Sequence, residues 1–443
     1  MRGFLHFSVS SLLRITAYPK SSVSHLRSTC EENTMASGAS VSKLLSLAKT
    51  ISASVAKIEE ALSAEEIPSP SFDQDSIFNI PVTVSRDRDI VLDATAELHD
   101  LLLEPLNLIS KNGGHHNAVC LQAIAEFEIA DMVPPHSRTT FGEIAERTPM
   151  SEKMTARILR HAMTMRVFCE PEPGFVAHTA ASRALYQSAS NVWLEVNTKE
   201  MWPAATKVSP SSQGYSLSKN SEENIYAITA KDANTAARWA RGMAVMAQRP
   251  QLRLSHLTDT YDWPALGDEA QVVDVGGGNG HVAIALARRF SNLTVTVQDV
   301  EGVIERCSVP EDVQGRIHFG VHDFFTPQPL HGADVYFFRL VFHNWSDKYC
   351  GKIIRGLIPA LKPGARVLIQ DMVMPVPGTV PLWREKELRA TDMMVASVFN
   401  AQERTVDDFK TLFERIDKSF ELGNVIEPEG SDLGIVEFVW KGK

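Results

Sequence analysis

Four glycines within five positions, Gly276, Gly277, Gly278 and Gly280, follow the apolar run Val272–Val275 and precede the helix-like stretch Val282–Ala287. That order reads as a buried parallel strand, a tight turn and the start of a helix. Glycines let a backbone approach a ligand closely, and a helix N-terminus offers unpaired N–H groups. The turn therefore suits a small polar ligand. The dinucleotide fingerprint places glycines at its first, third and sixth positions. Gly276 and Gly278 hold the first and third, but His281 holds the sixth, so close helix–strand packing and a pyrophosphate are disfavoured. No Gly-Lys-Ser/Thr follows, which excludes a phosphate-binding P-loop.

Two further acids narrow the ligand. Asp299 ends the next apolar run, where a carboxylate accepts hydrogen bonds from both hydroxyls of a ribose. His322-Asp323-Phe324-Phe325 follows the run after that. An acid there can bond an adenine amino group while the neighbouring ring packs on its face. Each acid alone reads as a turn residue. Their order after three successive strands points to an adenosine-bearing ligand.

These positions require a sheet to hold them. Val272–Val275, Thr294–Val297, Ile317–Gly320, Val335–Phe338 and Val367–Ile369 are short apolar runs with helical stretches between several of them. They predict a doubly wound, Rossmann-like α/β sheet, with two more strands at Glu421–Ile426 and Ile435–Val439. Upstream the pattern is helical. Leu44, Ala48, Ile51, Val55, Ile58 and Leu62 recur at spacings of four and three on one stripe, which suits either a helix packed on its own domain or a partner helix in a dimer. Thr140 and Glu143 form a capping-box pattern, a helix spans Ser151–Val167, and Phe168–His178 reads as a hairpin. Together they predict a winged helix-turn-helix. Residues 191–255 read as helical, with a polar loop near Ser209–Asn220.

The chain has 443 residues, 44% hydrophobic and 22% charged, with a net charge of −10. This composition fits a globular protein of two or three domains. Lys153, Arg157 and Arg160 sit where base-reading residues would lie, but acids surround them and the whole chain is acidic, which disfavours nucleic acid. Cys30, Cys120, Cys169, Cys307 and Cys350 have no metal-like spacing and read as reduced thiols. No apolar run approaches the roughly 18 residues of a bilayer span. We expect a cytoplasmic protein. Residues 1–34 read as an extension before Met35, with a basic, serine-rich transit peptide as the alternative.

The ordered motifs resemble those of class I S-adenosylmethionine-dependent O-methyltransferases of the plant caffeate and isoflavone type. They are Val272–Gly280, Gln298-Asp299, His322–Phe325, Phe342-His343-Asn344-Trp345-Ser346-Asp347 and Gln402-Glu403-Arg404-Thr405. The likeness is greatest to the fungal branch that methylates aromatic polyketide hydroxyls, the group of sterigmatocystin O-methyltransferase, and spans roughly residues 90–443. It implies S-adenosylmethionine as methyl donor, a homodimer built on the winged-helix module, a small aromatic acceptor and no metal. The expected division is a disordered leader or extension over residues 1–35, a helical winged-helix dimerisation domain over 36–190, a helical connector lining the acceptor site over 191–255 and the cofactor-binding catalytic domain over 256–443. Matched position by position, His343 becomes the general base, flanked by Asp371 and Glu403. Asp371 stands where plant members have the longer Glu, so a direct bond from it to His343 is in question. Gly276, Gly277, Gly278, Asp299, Asp323, Phe324 and Arg339 become cofactor residues. Trp239 and Met243 become the clamp on the acceptor ring, with Asn344 and Asn400 as further acceptor contacts. The rival readings are a catalytically idle regulatory or scaffolding relative and, disfavoured by His281, an oxidoreductase.

Overall fold

The computed structural model describes residues 42–209 and 212–442. Of its two units, Met1–Lys43 lies almost wholly outside the described residues, as do the expectations for residues 1–35; Leu44–Lys443 forms the other. The first long helix, Lys43–Ala64, buries Leu47, Ser54 and Leu62. The expected stripe is therefore turned by part of a turn: Ile51, Ile58 and Leu62 face inward, whereas Leu44, Ala48 and Val55 are exposed. The helix carries apolar residues over a wide arc, and its neighbours select which part of the arc is covered.

The winged helix-turn-helix forms as expected. Strand β1 (Thr139–Thr140) pairs antiparallel with β2 (Phe175–Val176). Thr140 and Glu143 make the reciprocal capping box at the helix Phe141–Ala145, and Ser151 caps the helix Glu152–Thr164. Ile124, Ile129, Phe141, Leu159 and Val176 form its core. Arg160 donates to both oxygens of Glu170, at 2.8 and 2.7 Å, and lies over the Phe141 ring. That guanidinium is spent inside its own module. In the following helical stretch, the expected polar loop contains a short helix, Gly214–Ser218, which packs so closely that a Cβ on Gly214 would lie 2.4 Å from the Ala204 carbonyl oxygen.

The C-terminal half is built on a seven-stranded sheet. Its strands are β3 (Ala270–Val275), β4 (Leu293–Asp299), β5 (Ile317–Val321), β6 (Val335–Arg339), β7 (Arg366–Asp371), β8 (Phe420–Ile426) and β9 (Gly434–Trp440). They lie in the order β5-β4-β3-β6-β7-β9-β8. Strands β3 to β7 pair in parallel, and β9 runs antiparallel to both of its neighbours. Alternate residues of β6 feed opposite faces. Tyr336 and Phe338 pack with Ile353 and Phe413, while Val335 and Phe337 pack with Trp263 and Leu286. Both faces are covered, so the strand reads as a continuous apolar run. The chain order reverses between β4-β3 and β3-β6, which opens a crevice at the carboxyl ends of β3 and β6.

One buried side chain ties the site segments to this frame. Arg404, 1% exposed, donates to the carbonyl oxygens of Phe342 (3.0 Å) and Trp345 (2.8 Å) and to Asp347 (2.8 Å). A buried guanidinium is tolerable only when its donors are satisfied, and removing it strands its acceptors. Arg404→Met should lower the unfolding free energy by about 3 kcal/mol, measured by urea denaturation. A loss under about 1 kcal/mol would contradict the clamp.

Candidate active site

The glycine turn leaves β3 along the top of the sheet. Gly276, Gly278 and Gly280 all have positive φ, at 75°, 59° and 76°. A Cβ on Gly277 would lie 2.5 Å from the Asp274 carboxylate. A Cβ on Gly280 would meet the Phe319 ring at 2.9 Å, so the close packing assigned to the sixth fingerprint position comes from the fifth. His281 therefore does not compromise that packing, and the inference drawn from it against a pyrophosphate loses its ground. Asp299 accepts from the Gly278 N–H (2.9 Å) and the Val300 N–H (2.8 Å). It braces the turn and retains acceptor capacity, since a carboxylate offers about four lone-pair sites.

A crevice of about 380 Å³ opens over the turn, lined by Asp274, Gly276, Gly277, Gly278, Arg339 and Leu340 among others. Phe324 lies beside Gly276, its ring 3.7 Å from where a Cβ there would be. Asp323 accepts the Phe325 N–H at 2.9 Å, so one oxygen is committed to its own turn. Arg339 donates to the Gln370 side chain and, at 2.8 Å, to the Leu252 carbonyl oxygen.

Asp274 escaped the sequence reading. It is 2% exposed and lines the crevice, and its Oδ2 has no hydrogen-bond partner. Burial pushes its pKa up to about 7, against the pull of the Arg339 charge and with the push of Asp299. The available signal was an acid in an otherwise apolar buried strand. An unpartnered buried carboxylate beside a glycine cradle that side chains would fill suits a ligand bearing both an ammonium group and a bulky polar body. S-adenosylmethionine has that chemistry.

A second cavity, of about 420 Å³, adjoins the first. Leu252 and Leu340 line both. Its wall is apolar and adaptable: Trp193, Tyr226, Trp239, Met243, Met246 and Phe399 contribute. Trp239, Met243 and Asn344 thus sit where an acceptor would contact them. Asn400 does not belong to this lining. It ends the helix Leu382–Phe399 with φ 52°, a left-handed cap that asparagine tolerates well. Trp193 and Tyr226 were not foreseen, because an aromatic on a helix face carries no mark that separates cavity wall from core.

His343 enters this cavity from the short turn after β6. Its Nδ1 lies 2.9 Å from Glu403 Oε1. The carboxylate accepts the Nδ1 proton, which leaves the neutral ring's lone pair on Nε2. Asp371 makes a different contact from the one the flanking role implied. Its Oδ2 accepts the backbone N–H of His343 at 3.1 Å and does not bond the ring. The shorter side chain thus fixes the backbone that carries the imidazole. Burial lowers the His343 pKa, but the Glu403 bond and charge, aided by Asp371, outweigh it and hold it above the ordinary value. The arrangement is that of an oriented proton acceptor in an apolar chamber beside a polar crevice.

Comparisons with known proteins agree with this geometry. Residues 210–417 match the O-methyltransferase domain family, and residues 112–188 match the O-methyltransferase dimerisation domain. The chain is 38% identical over 417 residues to O-methyltransferase PaMT of Phomopsis amygdali, covering 90% of this chain and 97% of that protein. It is 34% identical to the chlorophenol O-methyltransferase of Trichoderma longibrachiatum, covering 96% and 95%. Among solved structures it is similar in fold to OxaC in complex with SAH and oxaline, with a TM-score of 0.70 over 90% of this chain and 100% of that chain at 21% identity. The chain belongs to the S-adenosylmethionine-dependent O-methyltransferases, with a dimerisation domain ahead of the catalytic one.

Proposed function

We propose that this enzyme methylates a phenolic hydroxyl of a polyketide-type secondary metabolite, with His343 as general base and no metal. The observation that carries the reading is the His343–Glu403 bond at the wall of an apolar cavity that adjoins the cofactor crevice. The name of the chlorophenol relative supports a phenolic acceptor, and that of a lichen relative from Cladonia grayi, a grayanic acid biosynthesis cluster O-methyltransferase, supports a place in secondary metabolism. The matched dimerisation domain supports a homodimer. The lining residues from 193 to 252 support the role of residues 191–255 as the acceptor connector, between a dimerisation region over 36–190 and a catalytic domain over 256–443. Among the described residues no helix is long and apolar enough to cross a membrane. A cytoplasmic location is part of the proposal and rests on the reading of the cysteines as reduced thiols.

When bound, S-adenosylmethionine supplies a methyl carbon whose bond to a sulfonium breaks, its electron pair staying on sulfur, as the acceptor oxygen bonds the carbon. The protein has to hold the acceptor in line and receive its proton. Trp239, Met243 and Asn344 hold the ring. On the cofactor side Gly276, Gly277, Gly278 and Asp274 frame the crevice, while Asp299, Asp323, Phe324 and Arg339 are the further contacts. His343 takes the hydroxyl proton at Nε2, and Glu403 stabilises the resulting imidazolium. Full transfer from a phenol of pKa near 10 to an unperturbed histidine costs roughly 5 kcal/mol. The raised pKa of His343 shrinks that cost.

His343→Ala should cut kcat by about a thousandfold or more while S-adenosylmethionine binding, by calorimetry, stays within about threefold. Turnover near the parent rate would refute the base. The base must be neutral, so kcat rises with pH through the His343 pKa. Glu403→Gln removes the group that raises it, and the acid limb of the kcat profile should move to lower pH while kcat itself falls. An unmoved limb would detach Glu403 from the base.

The Asp274 pKa lies above its unfolded value, so its ionisation costs folding stability that grows as pH rises from about 4 to about 7. Asp274→Asn should stabilise the ligand-free protein at pH 8, less so at pH 5, and weaken S-adenosylmethionine binding. Thermal melts with calorimetry check both; a destabilised variant would contradict the orphaned carboxylate. Among the described residues no group of three or more His, Cys, Asp or Glu is placed to hold a metal ion. Activity should survive EDTA, and complete loss would overturn the metal-free mechanism.

A further inference from the structure

Leu340 and Leu252 are shared by the cofactor crevice and the acceptor cavity, so they stand at the junction across which a methyl group would pass. Leu340 also has φ 54°. A leucine adopts the left-handed region only where its surroundings impose it, and such residues concentrate at functional sites. Here the surroundings do impose it. The Leu340 N–H donates to the Gln370 carbonyl oxygen at 3.0 Å. The preceding residue, Arg339, bonds the Gln370 side chain with one nitrogen and the Leu252 carbonyl oxygen, at 2.8 Å, with another. One guanidinium thus joins the strand end carrying the first leucine to the backbone of the second. An extended residue at 340 would carry the chain on past the sheet. The left-handed turn folds it back, and His343 arrives in the cavity three residues later.

We propose that Leu340 is a positioning residue for methyl transfer. With Leu252 it forms an apolar collar at the junction, held by its left-handed backbone, that keeps water off the transfer line and fixes the acceptor's approach. This rests on the reading of the two adjoining cavities as a methyl-transfer centre. The chemistry favours such a collar: a phenolate meeting a sulfonium loses charge separation on the way to the transition state, so water at the junction holds the reactants back.

The test compares Leu340→Ala, Leu340→Gly and Leu340→Met in the full chain. Leu340→Ala should lower kcat about tenfold or more, with the S-adenosylmethionine Kd, the acceptor KM and the pH profile of kcat changed less than about threefold. Leu340→Met refills the collar and should recover most of the rate. Leu340→Gly should be as slow as Leu340→Ala yet melt at a higher temperature, because glycine takes this backbone conformation freely. If Leu340→Ala fails to fold, the glycine and methionine variants carry the comparison. A kcat within twofold of the parent, a loss confined to Kd or KM, a methionine variant as slow as alanine, or a glycine variant that melts no higher than alanine each overturns the collar. Full activity of Leu340→Ala beside an inactive His343→Ala overturns the collar alone. A slow Leu340→Ala beside an active His343→Ala overturns the base and leaves the collar.

Discussion

The burial of Arg404 is the constraint on which the acceptor half depends. All three of its guanidinium nitrogens are engaged, by the Phe342 and Trp345 carbonyl oxygens and by Asp347. A desolvated cation with a rigid fork of donors accepts little movement in its partners. The turn that carries His343 and the segment that carries Glu403 are therefore held at one separation. The Glu403–His343 bond is a consequence of that lock, and Asp371 adds a third restraint through the His343 backbone N–H. His343 is oriented twice, once through its ring and once through its chain.

The two cavities differ because different kinds of element build them. The crevice over the glycine turn is made largely at strand ends, from the turn itself, Asp274 and Arg339, and its place follows from a parallel sheet with a reversal in strand order. The acceptor cavity draws much of its wall from helices between residues 193 and 252, and its methionines and aromatics pack without demanding one outline. A strand end admits few substitutions that keep its register, whereas a helix face can change side chains without disturbing the sheet.

Asp274 and Leu340 show what the cofactor side spends to stay open. Asp274 keeps a carboxylate oxygen buried without a partner, and Leu340 holds a backbone conformation that disfavours it. Both line the crevice. Strain and unmet polarity at one place mark a site shaped for something it binds.

Local features were legible in the chain itself. The strand runs, the Thr140–Glu143 capping box, the glycine turn and the helix-and-hairpin module depend on neighbours a few residues apart, and the structure has them where the patterns place them. The roles of distant residues were not. Which arc of the helix Lys43–Ala64 is covered, whether Gly280 or its neighbour packs on Phe319, whether Asp371 meets a ring or a backbone N–H, and whether Asn400 lines a cavity or caps a helix are all settled by what lies opposite. Asp274 reads as one acid among many until the sheet removes its solvent. The sequence by itself determined the elements and the kind of ligand they could hold, because propensity and periodicity are local. Only the tertiary structure decided which atoms of those residues meet, because burial and contact are made between segments that the chain keeps far apart.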